Sequence, residues 1–312
     1  MKKTLIKHGR RIGVVLLSSL LGRDWVYGLI GLLNKHVLGR PIKSVFLLYP
    51  ANKKYTEAYV YHWYAKTMKW SPRLVGLLRQ TSNWGLVFGI SASDDDFLNK
   101  AEIENIKLLV RRLDRIKGLL RADQKTIAGI LPSLLVSRGI IPADESVERK
   151  TTVAAVLQAI ELVKEIEQMA VETPVIVLGG SGFIGSGLLE ANPNNNFYPV
   201  DVGGKGYFGD LSEKFFSQPM IVLNLTKKGA LSEYIPYLWP GVVVLNEVYP
   251  EPGKSEVAAI KEKGACCYHI AGVKGRAWPA FPRGYQGGIP CCASFLPEKE
   301  GDGSFEVIVR KM

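Results

Sequence analysis

Seven residues constrain the second half of this chain more than any other feature. Gly179-Gly180-Ser181-Gly182-Phe183-Ile184-Gly185 follows directly on the apolar run 175–178 and leads into Leu188-Leu189. A strand that enters a glycine-spaced turn and leaves as a helix has few solutions. In G-x-G-x-x-G the first glycine (Gly180) makes the tight turn, the second (Gly182) lets backbone approach a pyrophosphate, and the third (Gly185) lets helix and strand pack closely. The anion then rests on the helix amino terminus, where backbone N–H groups lack partners. Gly180, Ser181, Gly182, Phe183, Ile184 and Gly185 are therefore the expected cofactor loop.

Asp201 stands about 20 positions downstream, at the end of the candidate strand 198–202, where a carboxylate accepts from the adenosine ribose hydroxyls. It favours NAD over NADP, and Lys205 close behind weakens that preference. Runs 220–225 and 242–246 read as further buried strands, followed by the polar loops Thr226-Lys227-Lys228-Gly229 and 247–250. Thr226 joins the expected cofactor set, because parallel strands that end in polar loops form the floor of a ligand crevice. A last strand is expected over 266–271 and a long loop over 272–288, with a helix starting after Pro290.

The 312 residues are enough for two compact domains, since single cores stop growing near ~250–300 residues. With 47% hydrophobic and 22% charged residues, neither a disordered chain nor a polytopic membrane protein is expected. The net charge of +11 is spread over the chain, with no basic arm of the kind that grips nucleic acid. Blocks such as Lys53-Lys54 and Arg111-Arg112 read as solvated faces. Cys266-Cys267 and Cys291-Cys292 have the spacing of neither a disulfide framework nor a metal site, so no metal is expected and a reducing, cytoplasmic location is.

Four segments follow: an apolar and basic amino-terminal helical segment over 1–40, an α/β domain of substrate-binding type over 41–150, a connecting helix over 151–173, and a nucleotide-binding domain over 174–312. The first carries Lys2, Lys3, Lys7, Arg10 and Arg11 ahead of two apolar stretches, 12–22 and 25–33. Each is shorter than the ~20 residues that span a bilayer, so the segment either packs on the protein or lies peripherally on a membrane. Within 41–150, strands are expected at 45–48, 84–90 and 125–135. Helices are expected at 55–68 and 99–116, the chain before the second being capped by Ser93 or Asp94.

An α/β domain, a long helix and then a Rossmann-like doubly wound parallel sheet is an order of parts that resembles the shikimate dehydrogenase-like superfamily. Within it, residues 179–186 (GGSGFIGS), 220–226, 243–250 (VVLNEVYP) and 268–273 (YHIAGV) resemble the long-chain acyl-carrier-protein reductases. The resemblance implies an NAD(P)-dependent oxidoreductase acting on a carbonyl or acyl thioester bound between two domains. The substrate would be small or acyl-chain in type, free or held on a carrier protein.

The likeness has two departures. Where the acylated cysteine is sought, after Val273, the chain reads Lys274-Gly275-Arg276-Ala277-Trp278. The interval from Asp201 to Met220 is also short for a full helix and a third strand. Cys291 and Cys292 are the remaining thiol candidates, and the dipole of the expected helix after Pro290 would activate them. For carbonyl chemistry of the dehydrogenase type, Asp123 and Lys125 are the substrate-flanking candidates. His269, with His62, is the acid–base candidate. The alternative is a non-redox binding or scaffold protein that keeps the glycine loop without the reaction.

Overall fold

The computed structural model describes residues 2–50, 56–57, 60–192, 196–201, 205–281, 283–285, 287–296 and 305–312. It is an α/β protein whose chain divides into two compact units. Unit 1 comprises Met1–Glu148, Gly275–Phe281 and Cys292–Phe295; unit 2 comprises Arg149–Lys274, Pro282–Cys291 and Leu296–Met312.

Unit 1 is built on five strands: β1 (Ile42–Leu48), β2 (Arg73–Gln80), β3 (Asn83–Gly89), β4 (Gln124–Ile127) and β10 (Arg276–Trp278). Their order is β10-β2-β3-β1-β4, with β1 parallel to β3 and β4 and with β2 antiparallel to both β3 and β10. Helices α1 (Lys2–Leu21), α2 (Asp24–His36), α3 (His62–Thr67), α4 (Asp94–Leu98), α5 (Ile103–Leu120) and α6 (Leu131–Ser137) complete it. On α5 the buried residues Ile106, Leu109, Val110, Leu113, Ile116 and Leu120 recur at three- and four-residue intervals. That stripe packs into one core with Val45 and Leu47 of β1 and with Tyr27 of α2. Each such side chain contributes on the order of 1.5–3 kcal/mol by leaving water.

The structure corrects several expectations here. The strand expected at 125–135 stops at Ile127. Gly129 then turns at a φ of +67°, and Leu131–Ser137 is helical, with Pro132 in the first turn where its missing N–H costs nothing. The helix expected at 99–116 runs from Ile103 to Leu120 and ends on Arg121 in the left-handed conformation. Strand β2 was not anticipated, although Leu74, Gly76, Leu78 and Gln80 alternate inward along it. Ser93 stands at the N-cap of the separate short helix α4, where its N–H donates to the Asp96 carboxylate at 3.0 Å. The expected helix over 55–68 is seen as α3, and residues 55, 58 and 59 lie outside the described residues. The amino-terminal helices belong to unit 1: α1 meets α3 through Val14, Tyr64, Ala65 and Met68.

Helix α7 (Val147–Ile166), which belongs to unit 2 from Arg149 onward, starts four residues before the expected connecting helix. The sheet of unit 2 runs β11-β9-β8-β7-β5-β6, where β5 is Val175–Leu178, β6 Phe197–Val200, β7 Met220–Asn224, β8 Val242–Asn246, β9 Cys266–Lys274 and β11 Gly288–Ile289. β5, β6, β7, β8 and β9 pair in parallel; β11 and β12 (Val307–Lys311) are antiparallel to β9. All residues of β5, β7 and β8 are buried, which explains their unbroken apolar runs: a parallel strand covered on both faces has no polar side to alternate with. Helices α8 (Phe183–Ala191), α9 (Lys205–Lys214) and α10 (Lys254–Glu262) complete this unit.

From β5 the chain steps first to β6 on one side and then to β7 on the other. The strand order reverses at the carboxyl end of β5, the place where open α/β sheets hold ligands. The short interval after Asp201 holds the ten-residue α9, and no third strand stands beyond β6 among the described residues. The loop expected at 272–288 is largely ordered pairing: β9 continues to Lys274, β10 joins β2, and β11 joins β9. Among the described residues no single helix is long and apolar enough to cross a membrane, although Arg11–Leu21 of α1 and Asp24–His36 of α2 form a bent pair that passes on length and composition.

Candidate functional site

The glycine loop lies at the reversal point. Gly179 takes a φ of +88°, and its N–H donates to Val200 O of β6 at 2.6 Å. A Cβ at Gly180 would stand well inside 3.0 Å of Pro199, and one at Gly185 inside 3.0 Å of both Gly179 O and Gly180. Gly180 therefore lets the loop cross β6, and Gly185 lets α8 sit against the turn. Gly182 differs: a Cβ there meets only Gly179 O, at 3.0 Å, within 3.5 Å. It occupies the N-cap of α8 in extended conformation, and Phe183 and Ile184 form the first turn. At a helix start, the first N–H groups have no intrahelical acceptor.

Asp201 directly follows β6 and accepts from the Ser181 N–H at 2.9 Å. Its carboxylate is thereby fixed beside the loop. Arg149 of α7 supports the loop from beneath, donating to Phe183 O at 2.9 Å and to Ser186 Oγ at 3.0 Å.

A second group of side chains stands in register across the carboxyl ends of the neighbouring strands. Asn224 of β7 pairs with Asn246 of β8, and Asn246 with His269 of β9. All three are 2% exposed. Thr226 Oγ1 donates to Asn224 Oδ1 at 2.6 Å, and Asn224 Nδ2 donates to Asn246 Oδ1 at 2.7 Å. Asn246 Nδ2 donates to Val248 O at 2.7 Å and also lies 3.0 Å from His269 Nδ1, which is 3.1 Å from Asn246 O. His269 Nε2 is buried without a hydrogen-bond partner among the described residues. Burial holds its pKa below the usual imidazole value, so the ring is neutral at pH 7.

Sequence reasoning found Thr226 and His269 but missed the two asparagines between them. The signal was present, because MIVLN and VVVLN are apolar runs that both end in Asn. Glu247, next along, was also missed. It is half-buried, its N–H donates to Asn224 O at 3.1 Å, and desolvation pushes its carboxyl up to about 7. A carboxyl that titrates near neutrality at the strand ends suits proton transfer.

The other candidates do not gather here. Lys125 of β4 is paired with Asp114 of α5, and Asp123 with Lys43 of β1 at 3.2 Å, so each has a charge partner within unit 1. His62 is exposed at the start of α3. The helix expected after Pro290 is a single 3-10 turn, Cys291–Ala293, too short to supply the dipole invoked for Cys291 and Cys292. Cys267 is inert in another way, its thiol pushed up to about 12 by burial. Among the described residues, no three metal-ligating side chains come together.

Comparison with models of protein families finds no match for this chain, and comparison with curated proteins finds none either.

Proposed function

We propose that the chain is an NAD(P)-dependent oxidoreductase acting on a carbonyl or acyl thioester, with the dinucleotide held by the 179–185 loop of unit 2. The observation that carries this reading is the division of labour among the glycines. Side chains are sterically barred at Gly180, against Pro199, and at Gly185, against the backbone of the turn, while at Gly182 a Cβ would meet one atom, Gly179 O at 3.0 Å, at the helix cap where a pyrophosphate would approach. The residues fit the group: the N–H groups at the start of α8 would hold the anion, and the Asp201 carboxylate would suit a ribose diol better than a 2′-phosphate. The cofactor supplies a hydride acceptor or donor. Glu247 is the group we assign to hold the proton that must accompany hydride transfer to a carbonyl, and the Thr226–Asn224–Asn246–His269 row fixes the floor beneath it. As part of the same reading, we place the activity at a membrane surface, where long-chain acyl substrates of low solubility concentrate.

The test is titration of the purified protein with NADH and NADPH, read by nicotinamide fluorescence, with Gly182→Asp as control. Saturable binding that the substitution abolishes supports the reading; no binding of either cofactor overturns it. A second reading, a non-redox binding or scaffold protein that retains the loop, draws on the internal pairing of Lys125 and Asp123 and on the short turn at Cys291. It predicts dinucleotide binding without turnover, or no binding at all, across a panel of aldehydes and acyl thioesters.

A further inference from the structure

Helices α1 and α2 each carry two apolar faces, and only one of each is used. On α1, Val14 and Ser18 are buried, and Leu17 and Leu21 pack on the unit 1 core, whereas Ile12, Leu16 and Leu20 are 50%, 54% and 68% exposed. On α2, Val26, Tyr27, Gly31 and Asn34 face inward, whereas Trp25, Leu29, Leu32 and Leu33 are exposed. A surface helix of a soluble protein needs a single apolar stripe, and contiguous exposed apolar surface marks an interaction site. Indoles are exposed on these helices and beside them. Trp25 of α2 is 66% exposed, and the exposed Trp278 lies against Gly13 of α1.

Charge selects the partner. The first 40 residues hold eight Lys and Arg and one acidic residue, Asp24. That single carboxylate is already paired with Arg115 at 2.6 Å. Arg23, Lys35 and Arg40, at the ends of α2 and just beyond it, are exposed. A second copy of the chain would bring the same excess positive charge face to face, which opposes self-association. Apolar stripe, indoles and basic flanks together suit an anionic bilayer, where leucines enter the acyl boundary, indoles sit at the headgroups and lysines meet phosphate. The 83° bend between the helices prevents them from acting as one straight span.

We propose that the outer face of α1 and α2 is a monotopic seat for an anionic lipid bilayer. The proposal rests on the peripheral-location part of the functional reading and is independent of its redox part. The test is flotation of the full-length protein with vesicles of phosphatidylcholine alone or mixed with phosphatidylglycerol, alongside Leu16→Glu/Leu29→Glu. Circular dichroism and the urea unfolding midpoint serve as fold checks, and quenching of wild-type tryptophan fluorescence by brominated lipid gives a second readout. The expected result is binding to the anionic vesicles that weakens at least tenfold in the variant and at high salt, with indole quenching in the wild type.

Equal flotation of wild type and variant would overturn this seat while leaving a peripheral location standing. Failure of the wild type to float would overturn both. A wild-type dimer that becomes monomeric in the variant, without vesicle binding, would assign the face to a second copy and overturn the proposal.

Discussion

A methyl group added at Gly185 and a carboxylate added at Gly182 should have opposite consequences. At Gly185 the new Cβ runs into Gly179 O and Gly180, which are backbone and cannot swing away. Gly185→Ala is expected to lower stability by about 1–3 kcal/mol, read as a drop in the urea midpoint. At Gly182 the backbone is extended at an N-cap, a position that aspartate favours. With the new Cβ 3.0 Å from Gly179 O, Gly182→Asp is expected to cost less than Gly185→Ala, at most about 1 kcal/mol by the urea midpoint, while placing a negative charge where the pyrophosphate is proposed, so that loss of NADH binding with an intact unfolding transition would not reflect misfolding.

Glu247 makes a pH-dependent contribution. Its folded pKa of about 7 lies above the ordinary 4.5, so the folded state retains a proton that the unfolded chain releases between those values. Stability is expected to fall as pH rises from 4.5 to 7 and to level off above. Glu247→Gln should remove that decline and raise stability at pH 8 by about 1–3 kcal/mol relative to wild type, measured as urea midpoints at pH 5 and 8. A midpoint difference between wild type and variant that is the same at both pH values would contradict the assignment.

At the scale of elements, the buried polar row ties three strands together at one end. Asn246 serves both neighbours, so Asn246→Ala strands Asn224 Nδ2 and Val248 O at once, while His269 Nδ1 keeps the Asn246 backbone O at 3.1 Å. The expected cost is about 2–4 kcal/mol, more than the ~1 kcal/mol of a single hydrogen bond, again by urea unfolding. The strands that carry this row were legible because full burial removes any competing period: 175–178, 220–225 and 242–246 differ from the observed β5, β7 and β8 by at most one residue. The row itself was not, because register is a tertiary property that brings Asn224 beside Asn246 across 22 positions of sequence. Unit 1 was read less well. Residues 125–135 mix β-branched and apolar types, and only the turn at Gly129 divides strand from helix. β2 went unseen because its alternation holds Gly76 and Gln80 at inward positions where a large apolar residue is the usual sign. The site was legible where chemistry sits in contiguous residues, as in 179–185. It was illegible where one residue's role depends on a partner far along the chain, as with the ion pairs of Asp123 and Lys125.

For the molecule as a whole, the partition into units does not follow chain order. Unit 1 needs β10 to flank β2, and it needs Phe295, whose backbone exchanges hydrogen bonds of 2.9 and 3.0 Å with the buried Gln80 amide. A fragment of residues 1–148 lacks both. It is expected to be cleaved by added protease at least tenfold faster than the same segment within the full chain, and to unfold over a broader thermal range. A sharp transition matching that of intact unit 1 would contradict this.

The interleaving also sets a timetable during synthesis. When Glu148 leaves the ribosome, unit 1 is still missing a strand and a clasp that lie as far on as residue 295. At ~5–20 residues per second, that interval lasts roughly 7–30 s. Throughout it the nascent chain presents an unfinished sheet edge at β2, together with the outward leucines of α1 and α2. A growing chain of this kind gains from having that apolar surface received early, before the rest of the protein exists.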